Sequence, residues 1–403
     1  MAPPANPDAP HAYVIRDDAE ALAVAAGLAA EFAVDAAERD ATRRLPRAEL
    51  DRLSDSGLLA ITVPAEHGGA DVSAATIAEV FRLLAAADPN IAQIPHSHFV
   101  YVNVLRHQGD PEQRKFFFGE ILAGKRIGNA QSEIGTKNLM DYRTRLTPVE
   151  GGGYLVNGTK YYATGALFAH WIAILARGED DKLYVAYAPA DDPGITVVDD
   201  WAGMGQRTTA SGTVHLLDVA VPDDRVVPQH RTFDGPQLYG AFAQVLHAAI
   251  DVGIAEGALD EAAHFVRTKT RPWFEAGVET AVEDPLLVQR FGELSLELRA
   301  AHALLTTAAR EIDTAAAALD DDSAGRASLA VAAAKAYSDR AANSLAGALF
   351  EVAGTRSSLD TFNLHRHWRN ARTHTLHDPV RWKVQHLGRA ALTGTLPPRH
   401  GLL

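Results

Sequence analysis

Seventeen histidines are the side chains in this 403-residue sequence with the most chemistry to offer. Three close pairs stand out: His96 with His98, His365 with His367, and His374 with His377. An imidazole titrates near pH 6.5, so two of them can serve as general acid and base. Imidazoles also bind zinc, iron and copper. That metal reading is thin here. His374 and His377 are three apart and lack an H-E-x-x-H arrangement, and His96 and His98 have no nearby carboxylate to complete a facial triad. The bland alternative is that most histidines, His11, His67, His230 and His400 among them, are surface or hydrogen-bonded core residues. The residues alone leave both readings open.

Two arginines sit where a phosphate could be held. Arg271 falls where a long helical pattern stops at Pro272, and Arg356 follows Ala353-Gly354-Thr355 just past another. A guanidinium fork matches phosphate oxygens, although on the residues alone an arginine at a turn is better read as a surface charge. Other motifs are missing. No G-x-G-x-x-G follows a strand-like run, and there is neither a P-loop nor a G-x-S-x-G elbow. Gly151-Gly152-Gly153 reads as a hairpin loop. With no cysteine, disulfides, thiolate chemistry and Cys-based zinc or iron–sulfur sites are excluded.

The elements that must position these residues change period twice. Residues 1–15 are rich in Pro and Ala and are expected to be poorly ordered. Residues 16–127 predict a helical domain. DDAEALAVAAGLAAEFAVDAAERDATRR opens with acids and closes with arginines, as the helix dipole favours. Residues 128–236 carry short β-branched runs such as WIAILAR, LYVAYAPA and ITVVDDW, separated by Gly, Asp and Pro, and predict a compact β domain. Helical spacing returns over 237–403, with helices predicted at 238–270, 285–319 and 324–353 and one last helix at 361–392. A helical, β, helical order is not the alternation of a doubly wound fold.

Composition narrows the class. Hydrophobic residues make up 47% of the chain and the net charge is −13. Such a chain can build a large core, and its acidity argues against a general nucleic-acid binder. MAPPANPDAPHAYV has neither the basic nor the apolar region of a signal peptide. No run of about 18 apolar residues is apparent, so no membrane span is expected. A cytoplasmic location fits these features.

Three stretches together resemble the acyl-CoA dehydrogenase family. GNAQSEIGTKNL (128–139), followed by NGTKYYATGA (157–166), is similar to the entry of its β domain. WAGMGQRTTASGTVHLLDVAVPDDRVV (201–227) is similar to a later part of that domain, and DVGIAEGALDEAAHFVRTKTRPW (251–273) to the long helix opening its C-terminal bundle. RTKTRPW (267–273), FEVAGTR (350–356) and WRNARTHTLHDP (368–379) look like one branch of that superfamily, the reduced-flavin monooxygenases, which includes dibenzothiophene monooxygenase and sulfur-acquisition oxidoreductases. The resemblance runs from about Arg16 to Leu396. It implies a mainly α chain with a central β domain: an N-terminal helical domain, a middle β-barrel and a C-terminal four-helix bundle packed in a homotetramer.

One departure from the true dehydrogenases bears on the reaction. Where they carry a glutamate that abstracts an α-proton, this chain has His377, in Arg369-Asn370-Ala371…Leu376-His377-Asp378-Pro379. Their alternative base position falls near Thr270, which cannot act as a base. Asp378 is one residue off and would point about 100° away on a helix. The branch resemblance therefore implies two-component chemistry. Reduced FMN (FMNH2) from a separate NAD(P)H:flavin reductase would react with O2 to give a C4a-hydroperoxide, which oxidises a small organosulfur compound: a sulfone, sulfoxide, sulfinate or thioether. It implies His98, His377, Asn129 and Thr164 as catalytic residues. Asn129, Ser132, Thr164 and Trp201 would surround the flavin, and Arg271 and Arg356 would clamp its phosphate. The alternatives are an acyl-CoA dehydrogenase using FAD, a monooxygenase of the same branch acting on nitrogen or aromatic carbon, and a non-catalytic flavin-binding protein.

Overall fold

The computed structural model describes residues 12–402. Most of the N-terminal segment expected to be poorly ordered lies outside them. Its last residues do not fit that expectation: Tyr13 N–H donates to Asp55 O at 2.9 Å and Ile15 is buried.

Seven helices come first: α1 (Asp18–Ala33), α2 (Ala36–Thr42), α3 (Arg47–Asp55), α4 (Ala74–Ala87), α5 (Pro89–Gln93), α6 (His96–Gln108) and α7 (Pro111–Leu122). Their starts are written in the sequence. Asp17 caps α1 by accepting from Glu20 N–H, Ser73 caps α4 by accepting from Thr76 N–H, and Asp110 with Gln113 forms a reciprocal capping box ahead of Pro111.

Eight strands follow: β1 (Ile127–Ala130), β2 (Arg145–Pro148), β3 (Tyr154–Lys160), β4 (Trp171–Arg177), β5 (Leu183–Pro189), β6 (Ile195–Val198), β7 (Thr213–Val221) and β8 (Val226–Val227). They form one sheet in the order β6-β7-β3-β2-β4-β5-β8, with β1 parallel to β4 and Asn129 opposite Ala173. No ladder joins β6 to β8 among the described residues, so the expected barrel is a curved path whose two ends stay unpaired. Gly151 to Gly153, all at positive φ, turn β2 into β3 as expected.

Three long helices then build the bundle: α8 (Tyr239–Lys269), α9 (Pro285–Ala317) and α10 (Asp321–Ala353). Alanine lines their seams, so the axes approach closely, and α8 packs on α4, α9 and α10. By length and composition α8 could cross a membrane, contrary to the expectation from its sequence, but 83% of its most apolar window is buried inside this fold. It is the core helix here. The single last helix expected over 361–392 is two: α11 (His365–His374) and α12 (Arg381–Thr393). Pro379 disfavours helical backbone at the residue before it, and the chain turns at Thr375–Asp378. His377 sits in that break.

Candidate active site

A cavity of about 470 Å³ opens where the helical segments meet the sheet. Each wall has its own element. The entry of α6 brings His96, β1 brings Asn129, and the loop after it brings Ser132. The turn between β3 and β4 brings Tyr162 and Thr164. The loop between β6 and β7 brings Trp201, Gln206 and Ser211. Helix α8 brings Gln244 and His247, and the α11–α12 break brings His374 and His377. Tyr162 and Gln206 hold φ near +58° and +51°, left-handed backbone that side chains of this size rarely adopt.

The β6–β7 loop is pinned from two sides. Trp201 Nε1–H donates to Gln206 O at 2.7 Å, and Gln206 N–H donates to Asn370 Oδ1 at 2.7 Å. Arg369 on α11 donates to Met204 O at 2.8 Å and pairs with buried Asp40. Asn129 is held as firmly. Its Oδ1 accepts from Tyr101 O–H at 3.1 Å and its Nδ2 donates to Tyr162 O at 3.3 Å.

The hydroxyls beside it form a train with one direction. Thr209 donates to Gln206 O (2.9 Å), so Ser211 donates to Thr209 (2.8 Å), and Thr164 must donate to Ser211 (2.7 Å). Thr164 therefore shows the cavity lone pairs and no proton. The side-chain oxygens of Gln206, Gln229, Gln244 and Thr373, all on residues lining the cavity, are buried without a partner among the described residues.

The histidines cluster more tightly than their spacing suggested. The His247 ring stands 3.9 Å from both the His96 and the His377 rings, and its Nδ1 is 3.2 Å from His374 Nε2. Burial pushes His96 down to about 3 and His247 well below the usual imidazole range, so both rest neutral. His374 is lowered too, burial outweighing the opposite pull of Asp251. His377 is the exposed member, its Nδ1 3.3 Å from Asp378 Oδ1. Asp378 does not point away from it, because no helix runs through that turn. Burial works to raise this carboxyl, yet His377 and Lys383 hold it below the ordinary carboxylate range.

Of the residues expected from the sequence, Asn129, Ser132, Thr164, Trp201 and His377 line the cavity. His98 does not. Its Nδ1 accepts from Ile127 N–H at 3.1 Å and its Nε2–H donates to Leu59 O at 2.8 Å. Both ring nitrogens are spent on backbone, one tying α6 to β1 and the other tying it to the turn after α3, and burial lowers it to about 4. His96 and His247 occupy the place expected for His98 opposite His377. Arg271 and Arg356 are exposed and do not line the cavity either. Their loops are neighbours, since Thr270 Oγ1 donates to Ala353 O at 3.1 Å. His247 was missed. Its signal was Asp251, four residues on, an ionisable pair on one face of a stretch otherwise apolar.

Comparison with known proteins follows this geometry. Residues 17–125, 131–219 and 245–382 match the N-terminal, middle and C-terminal domains of acyl-CoA dehydrogenase. The dibenzothiophene monooxygenase of Rhodococcus erythropolis is 34% identical over 396 residues, covering 94% of this chain and 95% of the relative. The probable FMNH2-dependent monooxygenase SfnC of Pseudomonas putida is 33% identical, covering 94% and 96%. The crystal structure of FMN-bound TdsC from Paenibacillus sp. A11-2 superposes with a TM-score of 0.90 at 31% identity, covering 95% of this chain and all of that one. The three domains match in order and the relatives match nearly end to end, so this chain belongs to the acyl-CoA dehydrogenase family.

Proposed function

We propose that this protein is a flavin-dependent monooxygenase that takes reduced FMN from a separate NAD(P)H:flavin reductase and oxidises a small organosulfur compound. One observation carries the reading. Among the described residues no aspartate, glutamate, lysine or arginine lines the cavity, whereas three histidines and His96 do. A dehydrogenase needs a carboxylate base against its substrate, and this cavity offers imidazoles instead. The relatives named for dibenzothiophene and FMNH2 chemistry support the same choice.

The cavity fits a flavin ring. Trp201 gives an aromatic wall, Asn129 and Ser132 give polar contacts, and Thr164 gives lone pairs suited to an N–H donor, which a reduced flavin ring carries. The unpartnered oxygens of Gln206, Gln229 and Gln244 offer further acceptors. When bound, FMNH2 supplies two electrons and two protons, so that one atom of O2 enters the substrate and the other leaves as water. The chain binds and orients the reactants, and the buried walls keep water from diverting the chemistry. His377 stands half in solvent at the cavity mouth, its Nδ1 beside Asp378. Arg271 and Arg356 would hold the FMN phosphate of a neighbouring copy, since neither reaches the cavity of its own chain. The reading requires a homotetramer, and Trp273, Phe274, Leu286 and Leu296 are large apolar side chains left exposed for such contacts.

The test is product analysis with isotopically labelled dioxygen. The protein is mixed anaerobically with reduced FMN and then with labelled O2 and dibenzothiophene or a dialkyl sulfone. Label in an oxidised product supports the reading. Release of hydrogen peroxide only, together with reduction of bound flavin by an acyl-CoA, would return the chain to the dehydrogenases.

A further inference from the structure

Behind the cavity, in the seam between α8 and α10, lies a buried ion pair that the functional reading leaves unused. Asp251 is fully buried, and its Oδ2 is 2.8 Å from Lys335 Nζ, itself 1% exposed. Its Oδ1 is 2.5 Å from His374 Nδ1. The other nitrogen of that ring, Nε2, is 3.2 Å from His247 Nδ1. Lys335, Asp251, His374 and His247 thus form one file from the bundle interior to the cavity wall. A buried carboxylate and a buried lysine contribute little net stability as a pair, so their presence in an alanine-lined seam calls for another role.

We propose that Asp251 and Lys335 are positioning residues that fix the tautomers of His374 and His247, so that His247 presents Nε2 to the cavity as an unprotonated base. This rests on the monooxygenase reading for its purpose, although not for its geometry. The logic is one of counting protons. Lys335 fills one oxygen of Asp251, and the other oxygen can only accept, so His374 carries its proton on Nδ1. A neutral His374 then has a lone pair on Nε2, which accepts from His247 Nδ1–H. His247 is left with its lone pair on Nε2, which makes no hydrogen bond among the described residues. The Gln93 side-chain oxygen lies 3.2 Å from His374 Nε2, so this tautomer requires the Gln93 carboxamide to turn over and point its N–H2 at the ring.

Charge supports the neutral state. The rings of His96 and His377 flank His247, and the charged groups facing the file are Asp339 on the same helix as Lys335, Arg372 on α11, and Asp378 and Lys383 beyond it. With Asp251 and Lys335 they make three acids against three bases, leaving nothing to compensate a resting imidazolium. Burial lowers both His247 and His374 in agreement. A reduced flavin bound in the cavity would supply the protons for an oxygen that departs as water. His247 Nε2 can hold one of those protons and return it, with Asp251 stabilising the transient cation through His374. No proton or electron is gained or lost overall.

The test combines a spectroscopic and a kinetic readout on the full-length protein. Nitrogen-15 NMR of histidine-labelled wild type, without flavin, reads the tautomers directly. The expected result is Nδ1–H on both His247 and His374, each assigned by its His→Gln variant. In Asp251→Asn the amide N–H2 faces His374 Nδ1, so both rings should switch to Nε2–H. The labelled product yield should fall by at least about 100-fold, the scale of a lost general base. His247→Gln should lose as much, and the double variant no more than either single. Nε2–H on His247 in the wild type, or losses in the two variants that multiply, would overturn the proposal. The wild-type spectrum decides the matter even if Asp251→Asn does not fold. If the wild type forms no oxygenated product while the tautomers are as stated, the monooxygenase reading fails and the file stands.

Discussion

A Cβ built on Gly205 falls 1.9 Å from the backbone oxygen of Arg369, so the β-domain loop that carries Trp201 lies directly on α11. The nearest atoms are backbone, which cannot rotate away. The same loop is fastened by Gln206 N–H to Asn370 and by Arg369 to Met204 O. Gly205→Ala must therefore push the loop off the helix. We expect a loss of about 2 kcal/mol or more in unfolding free energy, in the range of other overpacking changes, and a loss of FMN affinity as Trp201 moves. Denaturant melts and flavin titration of the variant check both. An alanine variant that binds FMN like the wild type would show that the loop can shift without reaching the cavity.

Thr164 offers the cavity acceptor lone pairs because its proton goes to Ser211. Thr164→Ser keeps the hydroxyl and loses only a methyl. Thr164→Val keeps the shape and loses the acceptor, besides stranding Ser211. A neutral hydrogen bond contributes about 0.5–1.5 kcal/mol net. Thr164→Val should therefore bind reduced FMN roughly three- to tenfold more weakly, with Thr164→Ser close to wild type. Anaerobic titration with reduced FMN separates them. Equal affinities for all three would mean that the flavin does not contact this hydroxyl.

Much of this architecture is legible in the residues, because period and caps act locally. The acid–Pro helix starts at Asp110-Pro111 and Asp284-Pro285, the three-glycine hairpin and the alanine seams all declare themselves within a few positions. The site is legible only where a motif is contiguous. Asn129, Ser132, Thr164, Trp201 and His377 lie in such stretches and meet at one cavity. His98 was placed at the site by resemblance, and neither that nor spacing says which of two alternate histidines faces inward. On α6 His96 and His98 lie about 200° apart, and the one facing β1 is consumed by backbone. His247 and Asp251 share a face of α8, but Lys335 meets Asp251 only by α8 packing on α10, a contact 84 residues apart in sequence that no local pattern encodes.

Arg271 and Arg356 share one end of the bundle, outside their own cavity, with no ion pair among the described residues. If they hold the FMN phosphate of a neighbouring copy, Arg271→Ala and Arg356→Ala should each weaken FMN binding by about 1.5–3 kcal/mol, the scale of a charge-assisted hydrogen bond. Riboflavin, which has the same ring and no phosphate, should bind all three proteins alike. Equilibrium dialysis with both ligands checks this. A parallel loss for riboflavin would point to a disturbed fold, and no loss for FMN would remove the arginines from the site.

Acid should unfold this protein early, and the sign follows from its buried imidazoles. His96 is pushed down to about 3 and His98 to about 4, both mainly by burial, from an ordinary value of 6.5. Below pH 6.5 the unfolded chain takes up protons that the fold refuses. Stability contributed by these neutral rings is therefore present above pH 6.5 and lost as pH falls towards 4. At about pH 5.5 each ring costs roughly 1.4 kcal/mol. Asp339 opposes them. Burial raises it to about 6, so the fold takes its proton before the unfolded chain does, regaining somewhat under 1 kcal/mol over the same interval. These two histidines alone outweigh it by about 2 kcal/mol, and His247, lowered by burial as well, adds to the loss. Urea melts at pH 7 and 5.5 should show that loss, and Asp339→Asn should deepen it while raising stability at pH 7. A flat profile over this window would mean that the rings admit protons, and that water reaches the cluster in the folded state.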